Sequence, residues 1–200
     1  MTKFWGPLGW MTLHSISLIY PENPTQIEQS IVRRFIELFR DTITCQYCKS
    51  HFSKMLLNYS NAHPEMYSSR QHFFLFVARA HNTVNARLDK PRPKTVSECL
   101  ETIRMNTKIV NPAMFRTNYI NYLANNWGRE FTGEGAILRK SAIEMKKIND
   151  EYWTPREVDV NEIQLEEADI ITPIEKVDAK FVAPSTYKGP IGFKRGRLGR

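Results

Sequence analysis

Cys45 and Cys48 stand three residues apart in the stretch Thr44-Cys45-Gln46-Tyr47-Cys48-Lys49-Ser50-His51-Phe52. Thiols at this spacing can close a reversible disulfide, and their thiolates are nucleophiles for disulfide exchange. The same spacing also serves zinc sites, thioredoxin-type enzymes and plain structural disulfides. Zinc on Cys45, Cys48 and His51 would need a fourth ligand, His63 or Cys99, and no second CxxC or HxxxH accompanies the pair. The βαβ setting of a thioredoxin-type motif is absent too. Thr44 is a candidate helix N-cap, which would place the pair at a helix start. Unpaired N–H groups and the helix dipole there stabilise a thiolate, lowering a thiol from its free pKa of about 8.5. Cys48, one turn further in, would face the interior, with Cys45 left reachable from outside. His51 reads equally well as a side chain that hydrogen-bonds within the fold.

The elements that must hold this pair are helical. Leu8 to Tyr20 is bulky around most of a helix, with Trp10, His14 and Ser17 recurring on one side, and Tyr20-Pro21 stops it. A second helix from Pro24 to Arg40 carries Ile27, Ile31, Phe35, Leu38 and Phe39 as its apolar stripe. The third runs from the cysteine pair to about Tyr59, and the fourth from about Ser69 to Leu88, with His81, Asn82 and Asn85 along one side. Pro91 and Pro93 end that helix, and Thr95 or Ser97 caps a short fifth through Arg104. Further helices are predicted for Ala113 to Arg129 and Ile137 to Tyr152, with Gly128, Gly133 and Gly135 marking the break between them. The fold class is therefore all-α, divided as a bundle over 1–104, a helical extension over 105–155 and an extended or disordered tail over 156–200. The tail is first acidic and then basic, ending Lys194-Arg195-Gly196-Arg197-Leu198-Gly199-Arg200, a composition that buries little.

The 200 residues are 42% hydrophobic, enough for a real core, and three cysteines are too few for a disulfide-stapled secreted domain. The first residues lack the apolar run of a signal peptide, and no segment reaches the roughly 18 apolar residues of a membrane span. These features predict a cytoplasmic protein without a membrane span. The net charge of +7 permits loose attraction to polyanions but names no nucleic-acid partner.

Four blocks carry a more specific signal. They are Trp5-Gly6-Pro7-Leu8-Gly9-Trp10-Met11-Thr12-Leu13-His14, then Tyr20-Pro21, then Cys45-Gln46-Tyr47-Cys48-Lys49-Ser50-His51-Phe52, then His81-Asn82-Thr83-Val84-Asn85-Ala86-Arg87-Leu88-Asp89-Lys90-Pro91. In order and separation they resemble the WGPxxWxxLH, YP, CxxCxxHF and HNxVNxxLxKP blocks of the ERV/ALR family of FAD-linked sulfhydryl oxidases. The resemblance covers about half the chain. It implies a four-helix bundle plus a short fifth helix, usually a homodimer, with FAD in the mouth of the bundle. It places Trp10 and His14 beside the cofactor, with Trp5 and Gly6 in the segment approaching it. It puts His81, Asn82 and Asn85 along the adenine and ribose region, and Lys90 near the pyrophosphate. Cys48 becomes the flavin-proximal thiol and Cys45 the distal one. In the implied cycle a substrate dithiol attacks the Cys45–Cys48 disulfide, two electrons pass from Cys48 to FAD, and oxygen leaves as hydrogen peroxide.

The chain departs from many family members in three ways. Thr44 replaces a proline before the first cysteine. The fourth-helix position near Ala78 offers no cysteine to pair with Cys99, where many cellular members have a structural disulfide. No further CxC or CxxC exists to act as a shuttle, so the substrate, for instance a small thioredoxin-like carrier, would attack Cys45 directly. A slim bundle with a long extension is more like the oxidases of large cytoplasmic DNA viruses. The competing reading is a non-enzymatic helical interaction module with a redox-sensitive or zinc-bound CxxC.

Overall fold

The computed structural model describes residues 2–108, 111–129, 131–166 and 170–175, with side chains from Gly6 onward. Seven α-helices follow one another along the described residues: α1 (Thr2–Ile19), α2 (Gln26–Asp41), α3 (Gln46–Ala62), α4 (Arg70–Arg87), α5 (Val96–Thr107), α6 (Pro112–Trp127) and α7 (Gly133–Ile148). None of them is long and apolar enough to cross a membrane. Several of the helices start where a side chain satisfies a free N–H group of the first turn, though α7, behind Thr132, has no such cap. Thr25 and Glu28 form a reciprocal capping box at α2, while Ser69 caps α4, Thr95 caps α5 and Asn111 caps α6.

α1 sits in the middle. Every residue from Thr12 to Tyr20 is buried, because α4 covers one side of the helix and α6 lies along another. The hydroxyls inside this run bond back into their own helix, Ser15 Oγ donating to the Thr12 carbonyl and Ser17 Oγ to the His14 carbonyl, both at 2.8 Å. α7 packs against both α6 and α2. The main apolar cluster thus joins Leu13, Phe35, Phe52 and Phe76 of the first four helices to Tyr119, Leu123 and Met145 of α6 and α7. Trp153, in a π-helical turn after α7 (Asn149–Trp153), is fully buried edge-on against Phe35. A second cluster gathers Leu18, Phe74 and Ala78 with Val96, Cys99 and Leu100 of α5.

The stripe predicted for α2 needs correction. Ile27 is 73% exposed, whereas Val32 and Ile36 are buried. Ile27, in the first turn, is left uncovered, and α2 is packed by α3 and by α7. Arg34, on the face expected to meet solvent, makes a two-pronged ion pair with Glu144 of α7 at 2.6 and 2.7 Å. Segment 156–166 is not helical after Arg156, yet it does bury side chains: Val160 and Ile163 enter the second cluster, joined by Ile171. The basic end of the chain, expected to be a solvated tail, lies outside the described residues.

Arg116 of α6 is fully buried and holds three parts of the chain together. Its guanidinium donates to Asn149 Oδ1 at 2.8 Å, to Ser15 Oγ at 3.3 Å and to Glu157. A buried cation bonded through all three of its nitrogens loses far more on truncation than its net worth, because the partners are left without a counterpart. Arg116→Ala is therefore expected to lower folding stability by about 3 kcal/mol or more, read as a drop in the urea midpoint, whereas truncating the exposed Arg34 should cost about 1 kcal/mol or less.

Candidate active site

Cys45 and Cys48 form a disulfide, with Cα atoms 5.1 Å apart. The capping residue of α3 is Cys45 itself and not Thr44: Cys45 Sγ accepts from the Cys48 N–H at 3.2 Å, and the Cys45 carbonyl accepts from Lys49 N–H at 2.8 Å. The sulfur has taken the place of the hydroxyl that usually satisfies this amide. A thiolate at the same position would accept the same bond with charge assistance, so the cap favours the reactive form. Both cysteines are partly buried, and Cys48 packs against the main apolar cluster. Tyr47, between them, is exposed, and Arg87 at the end of α4 donates to its hydroxyl.

Beside the pair, α1 and α4 bring three rings together. Trp10 and His81 are stacked, with centroids 4.4 Å apart and planes within 8° of parallel. His14 Nε2 lies 2.9 Å from His81 Nδ1, and Trp10 also meets Phe52, one turn beyond Cys48 on α3, at 6.4 Å. Burial holds His14 well below the ordinary imidazole range, with repulsion from His81 adding to it. Burial, and then the nearby Lys90 cation, push His81 down to about 4. Both rings are thus neutral at pH 7, and His14 Nδ1 is buried with no hydrogen-bond partner. Among the described residues no group of three or more His, Cys, Asp or Glu side chains is placed to hold a metal ion.

The other residues singled out in the sequence are placed less uniformly. Gly6 faces open space where a Cβ would stand, Asn85 is partly buried and Lys90 is exposed. Asn82 is buried and its amide donates to the Pro93 carbonyl at 2.7 Å and the Ile171 carbonyl at 3.3 Å, tying α4 to the α4–α5 loop and to the C-terminal segment. The side chain of Trp5 lies outside the described ones. Reasoning from the sequence missed Glu175, whose Oε2 is 3.2 Å from His51 Nε2. A separation of 124 residues gave no local signal for that contact.

A model of the Erv1 / Alr family matches residues 8–106. A protein of Invertebrate iridescent virus 6, 347L, which carries the name of an FAD-linked sulfhydryl oxidase, is 34% identical over 90 residues, covering 44% of this chain and 81% of its own. The chain belongs to the Erv1/Alr family. Two cellular relatives of the family match as well. The mitochondrial FAD-linked sulfhydryl oxidase ERV1 of Saccharomyces cerevisiae is 30% identical over 87 residues, 44% of each chain. The FAD-linked sulfhydryl oxidase ERV1 of Arabidopsis thaliana is 29% identical over 85 residues, 42% of each chain. This chain therefore spans most of the viral Erv1/Alr protein but less than half of the yeast and plant ones. No solved structure matches it.

The site fits the cofactor in those names. A stacked Trp–His pair would offer a flat aromatic face to a conjugated ring, the buried His14 Nδ1 lacks a hydrogen-bond partner that such a group could supply, and Lys90 is an exposed cation that would offset phosphate charge. The neutral histidines also have a consequence for stability. The unfolded chain gains protons as the pH falls through the ordinary imidazole value of 6.5, while folded His81 resists until about 4. Stability is then full above about pH 6.5 and is lost progressively toward pH 4. Urea midpoints measured from pH 7.5 to pH 4.5 should fall across that window, and His81→Gln should flatten the decline.

Proposed function

We propose that the chain is an FAD-linked sulfhydryl oxidase that makes disulfides in dithiol proteins through Cys45 and Cys48. The observation that carries this reading is the Cys45–Cys48 disulfide at the start of α3, with Cys48 packed on the same apolar cluster as Trp10. Cys45 is the sulfur that a substrate thiolate attacks. The S–S bond breaks, a mixed disulfide joins the substrate to Cys45, and the electron pair stays on Cys48 as a thiolate. The second substrate thiolate then displaces Cys45, so that the substrate leaves oxidised and the pair is left reduced.

Bound FAD supplies the two-electron acceptor for that pair and the route to oxygen and hydrogen peroxide. Trp10, His14 and His81 would flank it, with Trp5, Gly6 and Asn85 lining the same site and Lys90 offsetting phosphate charge. Asn82, whose two contacts to backbone come from its Nδ2, has its Oδ1 left to offer.

With no second CxxC or CxC in the chain, the substrate is a small dithiol carrier of the thioredoxin-like kind that meets Cys45 directly. The place of action on this reading is the cytoplasm. A homodimer, which the family resemblance implies, has to form away from the faces of α1 and α2 that α6 and α7 cover.

The purified protein should be yellow, with flavin absorbance and dithiol-dependent oxygen consumption. Cys48→Ser should keep the colour and lose the oxygen consumption. Trp10→Ala should weaken flavin retention by up to about tenfold, the loss of one stacking contact. A colourless preparation that takes up no FAD on reconstitution defeats the reading.

A further inference from the structure

Residues 170–175 run back over the helices that carry the site. Ile170 pairs with Thr95 in a lone antiparallel bridge, and Ile171 N–H donates to the Lys94 carbonyl at 2.9 Å. Asn82 of α4 holds the Ile171 carbonyl, and Ile174 N–H donates to Thr83 Oγ1 at 2.8 Å while its side chain packs on the main cluster. So anchored, the strap brings the Glu175 carboxylate against His51 of α3, the two side chains 24% and 12% exposed. His51 follows Cys48 by three residues on α3, which puts the two side chains on one helical face with Cβ atoms about 5–6 Å apart. Carboxylate, imidazole and sulfur therefore follow one another along the surface of α3.

We infer that Glu175 is a positioning residue of the redox centre, holding His51 oriented and ready to carry positive charge beside the Cys48 sulfur. The inference rests on the thiol-oxidase reading of Cys45 and Cys48. When the disulfide opens, the electron pair goes to Cys48, and the proton released as the substrate thiol ionised to the attacking thiolate ends on His51. The new thiolate then faces an imidazolium instead of standing alone in a partly buried setting, and disulfide opening becomes easier. The charged groups facing His51 are Arg87 from α4, Lys54 from its own helix and Glu175 from the strap. Burial lowers the imidazole first, Arg87 lowers it further and Lys54 adds a little; Glu175 is the group that opposes them.

The test is a titration of one sulfur. In the full chain carrying Cys45→Ser, Cys48 is the thiol open to reagent, because Cys99 is buried and its thiol is pushed up to about 12. The rate of Cys48 alkylation by iodoacetamide, read by mass spectrometry against pH, gives the thiolate midpoint. Adding Glu175→Gln should move this midpoint upward by about one pH unit, and Glu175→Asp should restore most of it. With His51→Asn in the same chain, Glu175→Gln should raise it no further. A midpoint that Glu175→Gln leaves unchanged, or shifts equally with and without His51, overturns the inference. Melting curves by circular dichroism accompany each variant, and a strap that served only to stabilise the fold would lower them without moving the midpoint, which also overturns it. Flavin absorbance of the unsubstituted chain keeps the two readings apart. A colourless protein defeats the oxidase reading, whereas a yellow one with an unmoved midpoint defeats only the role of Glu175.

Discussion

The constraint on which the rest of this structure depends is the burial of α1. A helix apolar around most of its circumference cannot be satisfied by one partner, so it needs cover on more than one side. α4 supplies part of that cover and α6 another part. Once α6 is fixed there, with Thr12 Oγ1 donating to the Phe115 carbonyl and Tyr119 hydroxyl 2.8 Å from Thr42 Oγ1, α7 is brought against α2. The C-terminal helices are thus part of the hydrophobic structure that fixes α1. Because α1 carries Trp10 and His14, the same packing sets the site.

That dependence explains why the rings can be neutral and close. Two imidazoles 2.9 Å apart would repel if both were charged, and their burial makes charging costly well before that repulsion matters. The Trp10–His81 stack bridges α1 to α4, and the Trp10–Phe52 contact continues it to the helix that begins at the disulfide. The redox pair and the aromatic wall are therefore positioned by rigid helices and by side chains in contact, the arrangement that best preserves geometry at a reacting centre.

Much of this was legible in the sequence where the cause is local. Capping residues mark the starts of α4 and α5 and Pro21 the end of α1, and the CxxC lies at a helix N-terminus because a sulfur can serve as the cap. But α2 starts from the Thr25 cap and not at Pro24, and Gly133 and Gly135, expected in the break before the last helix, lie in the first turn of α7. Threonine is the commoner capping residue, so the sequence points to Thr44, one position before the Cys45 that caps α3, and nothing in the composition announces a cysteine in that role. The α2 stripe went astray at Ile27 because helical periodicity says which residues share a face, not where along the helix the neighbour begins. The strap was invisible for a different reason. Val160, Ile163 and Ile171 are sparse apolar residues in a largely polar stretch, and only the cluster formed by Leu18 with α4 and α5 gives them a place to be buried.

That cluster also bears on the chemistry. Ala78 and Cys99 lie in the same second cluster, so α5 is held to α4 by apolar packing, with no disulfide at this position. The choice has a functional side in a chain that carries out thiol–disulfide exchange. A third sulfur exposed near a reactive pair would compete for the mixed disulfide. Cys99 does not compete: burial keeps its thiol up at about 12, and a thiol that does not ionise is neither nucleophile nor leaving group. Val160, Ile163 and Ile171 pack into the cluster that buries Cys99 and so add to the burial that keeps its thiol protonated.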